Sequence, residues 1–101
     1  MAGIAVQSAF ITTGQRCSCA RRLIVPEGAQ GDAIIEAVAA LSDRLNFAPW
    51  DSDPEPYAGP LISARAAEAA LKALQERIDM GAKVIRASGP VANLPGAFVK
   101  P

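Results

Sequence analysis

Four prolines fall within the seventeen residues 46–62, NFAPWDSDPEPYAGPLI. Each lacks a main-chain donor and biases the residue before it away from the helical region, so most of this stretch cannot join a helix or a sheet interior. Loops of this length usually serve a function or an interface. The segment divides the chain into two halves, and regular structure has to be built on either side of it.

In the first half, residues 2–12 (AGIAVQSAFIT) fit a short apolar helix that runs into Gly14, where a tight or left-handed turn is easily taken. Arg21 to Val25 (RRLIV) is a short β-prone run stopped by Pro26 and Gly28, which reads as a buried strand. Gly31 or Asp32 can then cap a helix whose Ile34, Ile35, Val38, Leu41 and Leu45 recur on one face, with Glu36, Asp43 and Arg44 on the other. In the second half, Ser63 can cap a helix with Ala67, Leu71, Leu74 and Ile78 on its apolar face and Gly81 as its stop. Lys83 to Arg86 (KVIR) reads as a second strand. Pro90, Pro95 and Gly96 then punctuate a loop before a last β-prone piece, Ala97 to Lys100.

This alternation predicts an α/β fold, a partial parallel sheet with covering helices. Two or three strands make a thin sheet whose edges need covering. Half of the 101 residues are hydrophobic and only 5% aromatic, an apolar content drawn from Ala, Ile, Leu and Val that is rich for so short a chain. Both features point to one unit, residues 1–101, belonging to a larger domain.

Ten basic and ten acidic residues cancel, which leaves no electrostatic footprint for nucleic acid or an anionic membrane. The first eleven residues, MAGIAVQSAFI, lack a basic leader and are too short to span a bilayer, so a cytoplasmic protein is expected. With two cysteines at Cys-x-Cys spacing and no histidine, neither a disulfide framework nor an ordinary zinc site is expected.

Both cysteines lie in TTGQRCSCA, a glycine-containing turn with Arg16, Arg21 and Arg22 close by. A nucleophilic cysteine acts as the thiolate, which a positive neighbourhood, main-chain amides and partial access favour. Gly14 lies where a freed backbone could present N–H groups to an oxyanion beside Cys17. The plainer reading stays open: cysteine is among the most buried residue types, and arginines at a strand start often only cover apolar surface.

The stretch SAFITTGQRCSCARRLIV resembles the active-site cysteine segment of the aldehyde dehydrogenase superfamily, through Phe10, Gly14, Gln15, Cys17, Ala20, Arg22 and Leu23 to Val25. The resemblance continues with GPLIS at Gly59 to Ser63, GAKVIRAS at Gly81 to Ser88 and GAFVKP at Gly96 to Pro101, in family order across nearly the whole chain. Within the superfamily, GQRCSCARRL is most similar to the succinylglutamate semialdehyde dehydrogenases of bacterial arginine catabolism. The resemblance implies that Cys17 is the nucleophile and that its N–H is one oxyanion donor. It further implies attack on a small-molecule aldehyde to give a thiohemiacetal, hydride transfer to NAD or NADP, and hydrolysis of the resulting thioester. The complete enzyme is then expected to be a homo-oligomer. Arg16, beside the nucleophile, is a candidate for lining the substrate site, and Cys19 carries no family role and reads as a small packed residue.

In the family, the cofactor-binding domain, the asparagine that completes the oxyanion hole and the glutamate that activates water precede this segment, and a glutamate holding the cofactor ribose follows it. None falls on a residue of this chain. The resemblance therefore implies a fragment of the catalytic domain that binds no cofactor alone and is inactive alone. Two other readings compete: a small thiol-redox module using Cys17 and Cys19, which the spacing disfavours because such folds more often use Cys-x-x-Cys, and a non-catalytic interaction module built on the two amphipathic helices.

Overall fold

Three helices and one small hairpin carry the regular structure of the protein, as described for residues 1–101 by a computed structural model. The opening apolar run winds into α1, Ala2–Phe10. It stops two residues short of the expected end, at the β-branched run Ile11, Thr12, Thr13, whose side chains crowd the preceding helical turn. Helix α2 spans Ala29–Asp43. It begins earlier than a cap at Gly31 or Asp32 would allow, because Gly28 takes the N-cap place at φ 98° and Asp32 falls within the first turn. There its carboxylate faces the positive end of the helix dipole. Gly31 is buried against the chain entering the helix, and a Cβ at this position would lie 1.9 Å from the Pro26 carbonyl oxygen.

Helix α3, Ala64–Asp79, follows its sequence signals closely. Ser63 is extended and its Oγ accepts the Ala66 N–H at 3.1 Å, satisfying one of the unpaired donors of the first turn. At the other end Gly81 N–H reaches the Ile78 carbonyl at 2.9 Å and Ala82 N–H the Arg77 carbonyl at 3.0 Å, the paired closure of a left-handed helix stop.

The expected parallel sheet does not form. Strands β1 (Gly89–Pro90) and β2 (Val99–Lys100) pair antiparallel, with Gly89 opposite Lys100 and Pro90 opposite Val99, and a single parallel bridge joins Phe47 to Ala58. Of the predicted strands, the Ala97 to Lys100 piece contributes β2, whereas Arg21 to Val25 and Lys83 to Arg86 pair with nothing. Residues 21–27 and 83–88 make no main-chain to main-chain hydrogen bond. A strand exists only by virtue of its neighbour, and β-prone sequence without a neighbour stays unpaired. The 83–88 segment is held through side chains instead: Arg86 pairs with Asp43 of α2 and donates to the Pro101 carbonyl, and Ser88 Oγ donates to the Lys100 carbonyl at 2.5 Å.

Helices α1 and α2 pack on each other. The small core comprises Val6, Cys19, Phe47, Ala67 and Phe98. The long proline segment is anchored through Phe47, whose ring meets Tyr57 edge-on at 6.2 Å, and through the Tyr57 hydroxyl, which donates to Gln7 Oε1 of α1 at 3.1 Å. The predicted apolar stripes of α2 and α3 point as expected, yet Ile34, Ile35, Val38, Leu71 and Leu74 reach only half-burial. The accessible surface is 7265 Å², against roughly 5,400 Å² for a compact monomer of this mass. Much apolar surface therefore faces outward.

Candidate active site

Immediately after α1 the backbone turns left-handed at three successive residues, Thr12 (φ 52°), Thr13 (φ 55°) and Gly14 (φ 70°). Glycine accepts this conformation, but for an L-residue it costs about 1–2 kcal/mol, and the two threonines are β-branched. The surrounding hydrogen bonds hold it. Gln15 Nε2 donates to the Thr12 carbonyl at 3.3 Å and to Thr13 Oγ1 at 2.7 Å, while its Oε1 accepts the Ile62 N–H at 2.9 Å. Thr13 Oγ1 donates to the Pro60 carbonyl at 3.4 Å. The GPLIS stretch is thus tied to the cysteine turn, and Leu61 N–H in turn reaches the Ala97 carbonyl at 2.8 Å.

The cysteines follow. Cys17 is exposed; Cys19 is buried, with 7% of its surface accessible, and its Sγ donates to the Ile11 carbonyl at 3.7 Å. Cys19 N–H closes a turn onto the Arg16 carbonyl at 3.1 Å, and Ala20 N–H reaches the Ser8 carbonyl of α1 at 2.8 Å. The Cys17 N–H donates to no other main-chain atom. The two thiols are therefore in different situations, one facing outward and one packed, as the packed reading of Cys19 expects.

The three arginines separate as well. Arg16 is exposed and makes no ion pair or side-chain hydrogen bond, and Arg22 is exposed in the same way. Arg21 instead folds back onto the turn: Nη1 donates to the Gly14 carbonyl at 3.1 Å and Nη2 to the Arg16 carbonyl at 3.2 Å. Sequence reasoning treats Arg21 only as a nearby charge. No periodicity marks it as a clamp, because the contact depends on where the turn places two carbonyls. The link from Tyr57 to Gln7 is equally invisible in sequence. Burial raises the Tyr57 hydroxyl above its ordinary titration range, and the neighbouring Cys19 adds to the effect.

A cavity of about 230 Å³ adjoins the turn, lined by Phe10, Thr13, Gly14, Phe47, Leu61 and Lys100 among others, and Cys17 is not part of its wall. The structure places Cys17 and Arg16 together on an open surface. No helix is long and apolar enough to cross a membrane.

The sequence profile of the aldehyde dehydrogenase family matches residues 1–101. The chain is similar over its whole length, at 55% identity, to N-succinylglutamate 5-semialdehyde dehydrogenase 2 of Caulobacter vibrioides and to N-succinylglutamate 5-semialdehyde dehydrogenase of a second Caulobacter strain. It is 51% identical over 80 residues, 79% of its length, to the enzyme of that name from Acinetobacter baylyi, covering 16% of that protein. The chain spans 20% of the length of the two Caulobacter relatives.

Proposed function

The chain belongs to the aldehyde dehydrogenase family, and on that premise we propose that residues 1–101 are part of a catalytic domain in which Cys17 is the nucleophile that oxidation of an aldehyde requires. The observation that carries this reading is the contrast between the thiols: Cys17 is exposed within a braced turn, whereas Cys19 is buried and hydrogen-bonded. In the proposed step the Cys17 thiolate attacks the aldehyde carbon, the carbon–sulfur bond forms, and the carbonyl electron pair moves to oxygen. The Cys17 N–H, which bonds to no main-chain carbonyl, is free to stabilise that oxyanion.

Completing the oxidation calls on NAD or NADP as hydride acceptor, and the residues present do not fit such a dinucleotide. The glycine-containing helix start in this chain, Gly28 to Asp32, has the Pro26 carbonyl packed against Gly31 and a carboxylate in its first turn. Both repel the pyrophosphate that helix N-termini otherwise attract. The later steps therefore fall to the rest of the complete enzyme.

The proposed substrate is N-succinylglutamate 5-semialdehyde, the compound in the names of the similar Caulobacter and Acinetobacter enzymes. Its carboxylates suit Arg16, a cation beside the nucleophile with no partner within the chain. The test is NADH formation by a complete enzyme carrying this segment. Cys17→Ser is expected to lower kcat by at least about a thousandfold, and Cys19→Ser to leave it within about threefold of the parent. Normal turnover by Cys17→Ser overturns the assignment. Arg16→Ala is expected to raise KM for the anionic substrate more than for an uncharged aldehyde, and an equal effect on both removes Arg16 from the substrate site.

A further inference from the structure

The clamp formed by Arg21 touches neither thiol, and its geometry bears on the oxyanion donor. The peptide joining Arg16 to Cys17 is trans, so its C=O and N–H lie in one rigid plane and point in opposite directions. The Arg16 carbonyl is held by Arg21 Nη2 at 3.2 Å and by Cys19 N–H at 3.1 Å. Fixing that carbonyl fixes the direction of the Cys17 N–H, which is thereby turned away from Arg21 and left unpaired within the main chain. The second arm of the guanidinium holds the Gly14 carbonyl at 3.1 Å, at the end of the strained left-handed run.

We infer that Arg21 is a positioning residue: through its two-carbonyl clamp it orients the Cys17 peptide so that the N–H faces the developing oxyanion. This rests on Cys17 being the nucleophile. It differs from the expectation that Arg21 only lends positive charge to the thiol. A guanidinium presents planar, forked donors that can reach two carbonyls together, and an ammonium presents one compact centre that cannot reproduce the fork. Replacing Arg by Lys therefore keeps the charge and removes the clamp.

In a complete enzyme carrying this segment, Arg21→Lys and Arg21→Met are compared with the parent by NADH formation across pH, with Cys17→Ser alongside. Loss of the clamp is expected to lower kcat by about 10- to 100-fold in both variants, the size of effect associated with a misplaced or partly lost oxyanion donor. KM for the aldehyde and the shape of the pH profile are expected to stay as in the parent. Should Arg21→Met fail to fold, as read from its thermal midpoint, Arg21→Lys alone carries the comparison. Parent-like kcat in Arg21→Lys, or a pH profile displaced in Arg21→Met and restored in Arg21→Lys, overturns the clamp in favour of a charge effect. If Cys17→Ser abolishes turnover while both Arg21 variants turn over at the parent rate, the clamp fails and the nucleophile assignment stands. If Cys17→Ser turns over normally, the assignment and the clamp fall together.

Discussion

The cysteine turn and the apolar run that follows it are adjacent in sequence and opposite in how they are held. Between Ile11 and Ala20 the backbone is left-handed at Thr12 and Thr13 at a conformational cost, and the segment is tied by Gln15, Thr13, Arg21 and main-chain bonds to α1 and to residues 60–62. From Leu23 to Val25 the chain is made of strand-favouring residues, yet no main-chain bond forms, and Ile24 is 90% exposed. Lys83 to Ser88 repeats the second situation, with Val84 and Ile85 both exposed. The difference lies in the kind of interaction each region needs: a few discrete bonds, some to residues 47 positions away, suffice for the turn. The turn is closed by side chains within reach of it, whereas a strand needs a partner along its whole edge.

The largest effect is expected when the 101-residue chain is assayed alone. It is expected to produce no NADH from aldehyde and NAD, because orienting a hydride acceptor is worth roughly 7–11 kcal/mol of barrier and the glycine-containing helix start at Gly28 to Asp32 does not suit a pyrophosphate. Multiple turnovers that vanish in Cys17→Ser would show the braced turn to be sufficient.

Within the complete enzyme, Gly14→Val sets a β-branched residue at φ 70° with its Cβ 3.0 Å from the Ala9 carbonyl oxygen. The expected cost is about 1–3 kcal/mol at the turn, read as slower alkylation of Cys17 by iodoacetamide. Labelling of Cys17 as fast as in the parent would mean that the turn tolerates relaxation. In the parent, Cys17 is expected to be labelled before Cys19, as peptide mapping after brief exposure would show.

Hydrogen exchange sharpens the contrast on a smaller scale. In the isolated chain, amides of residues 22–25 and 83–87 should exchange at least about tenfold faster than the Ala20 amide, which is bonded to Ser8. Equal rates would place the turn and the apolar runs in the same condition.

The smallest effect concerns Tyr57, which links the proline segment to α1. Its folded-state titration is raised by burial and then by Cys19, so the protonated hydroxyl is favoured in the fold. That stability is fully present below the ordinary tyrosine value, near 10, and is lost as pH rises through the folded value. Tyr57→Phe also removes the bond to Gln7, a cost of about 1 kcal/mol. The thermal-midpoint gap between parent and Tyr57→Phe should therefore be open at pH about 8 and narrow above about 10. A gap that widens with pH would contradict the sign.

Local chemistry by itself determined the features that close within a few residues: Ser63 capping α3, Gly81 ending it, the turn at Gly14, the apolar stripes of α2 and α3, and the motif around Cys17 that carries the family resemblance. Each depends on side chains or dihedral preferences whose partners are nearby in sequence, so it is legible there. Tertiary structure decided what depends on distant groups. It left Arg21 to Val25 and Lys83 to Arg86 without strand partners, because a β-ladder requires a neighbouring chain segment that no local preference supplies. It took Thr12 and Thr13 left-handed against their own preference, since Gln15 and residues 60–62 supply compensating bonds. It turned Arg21 from a charge near Cys17 into a clamp on two carbonyls, because only the folded turn brings those carbonyls within reach of one guanidinium.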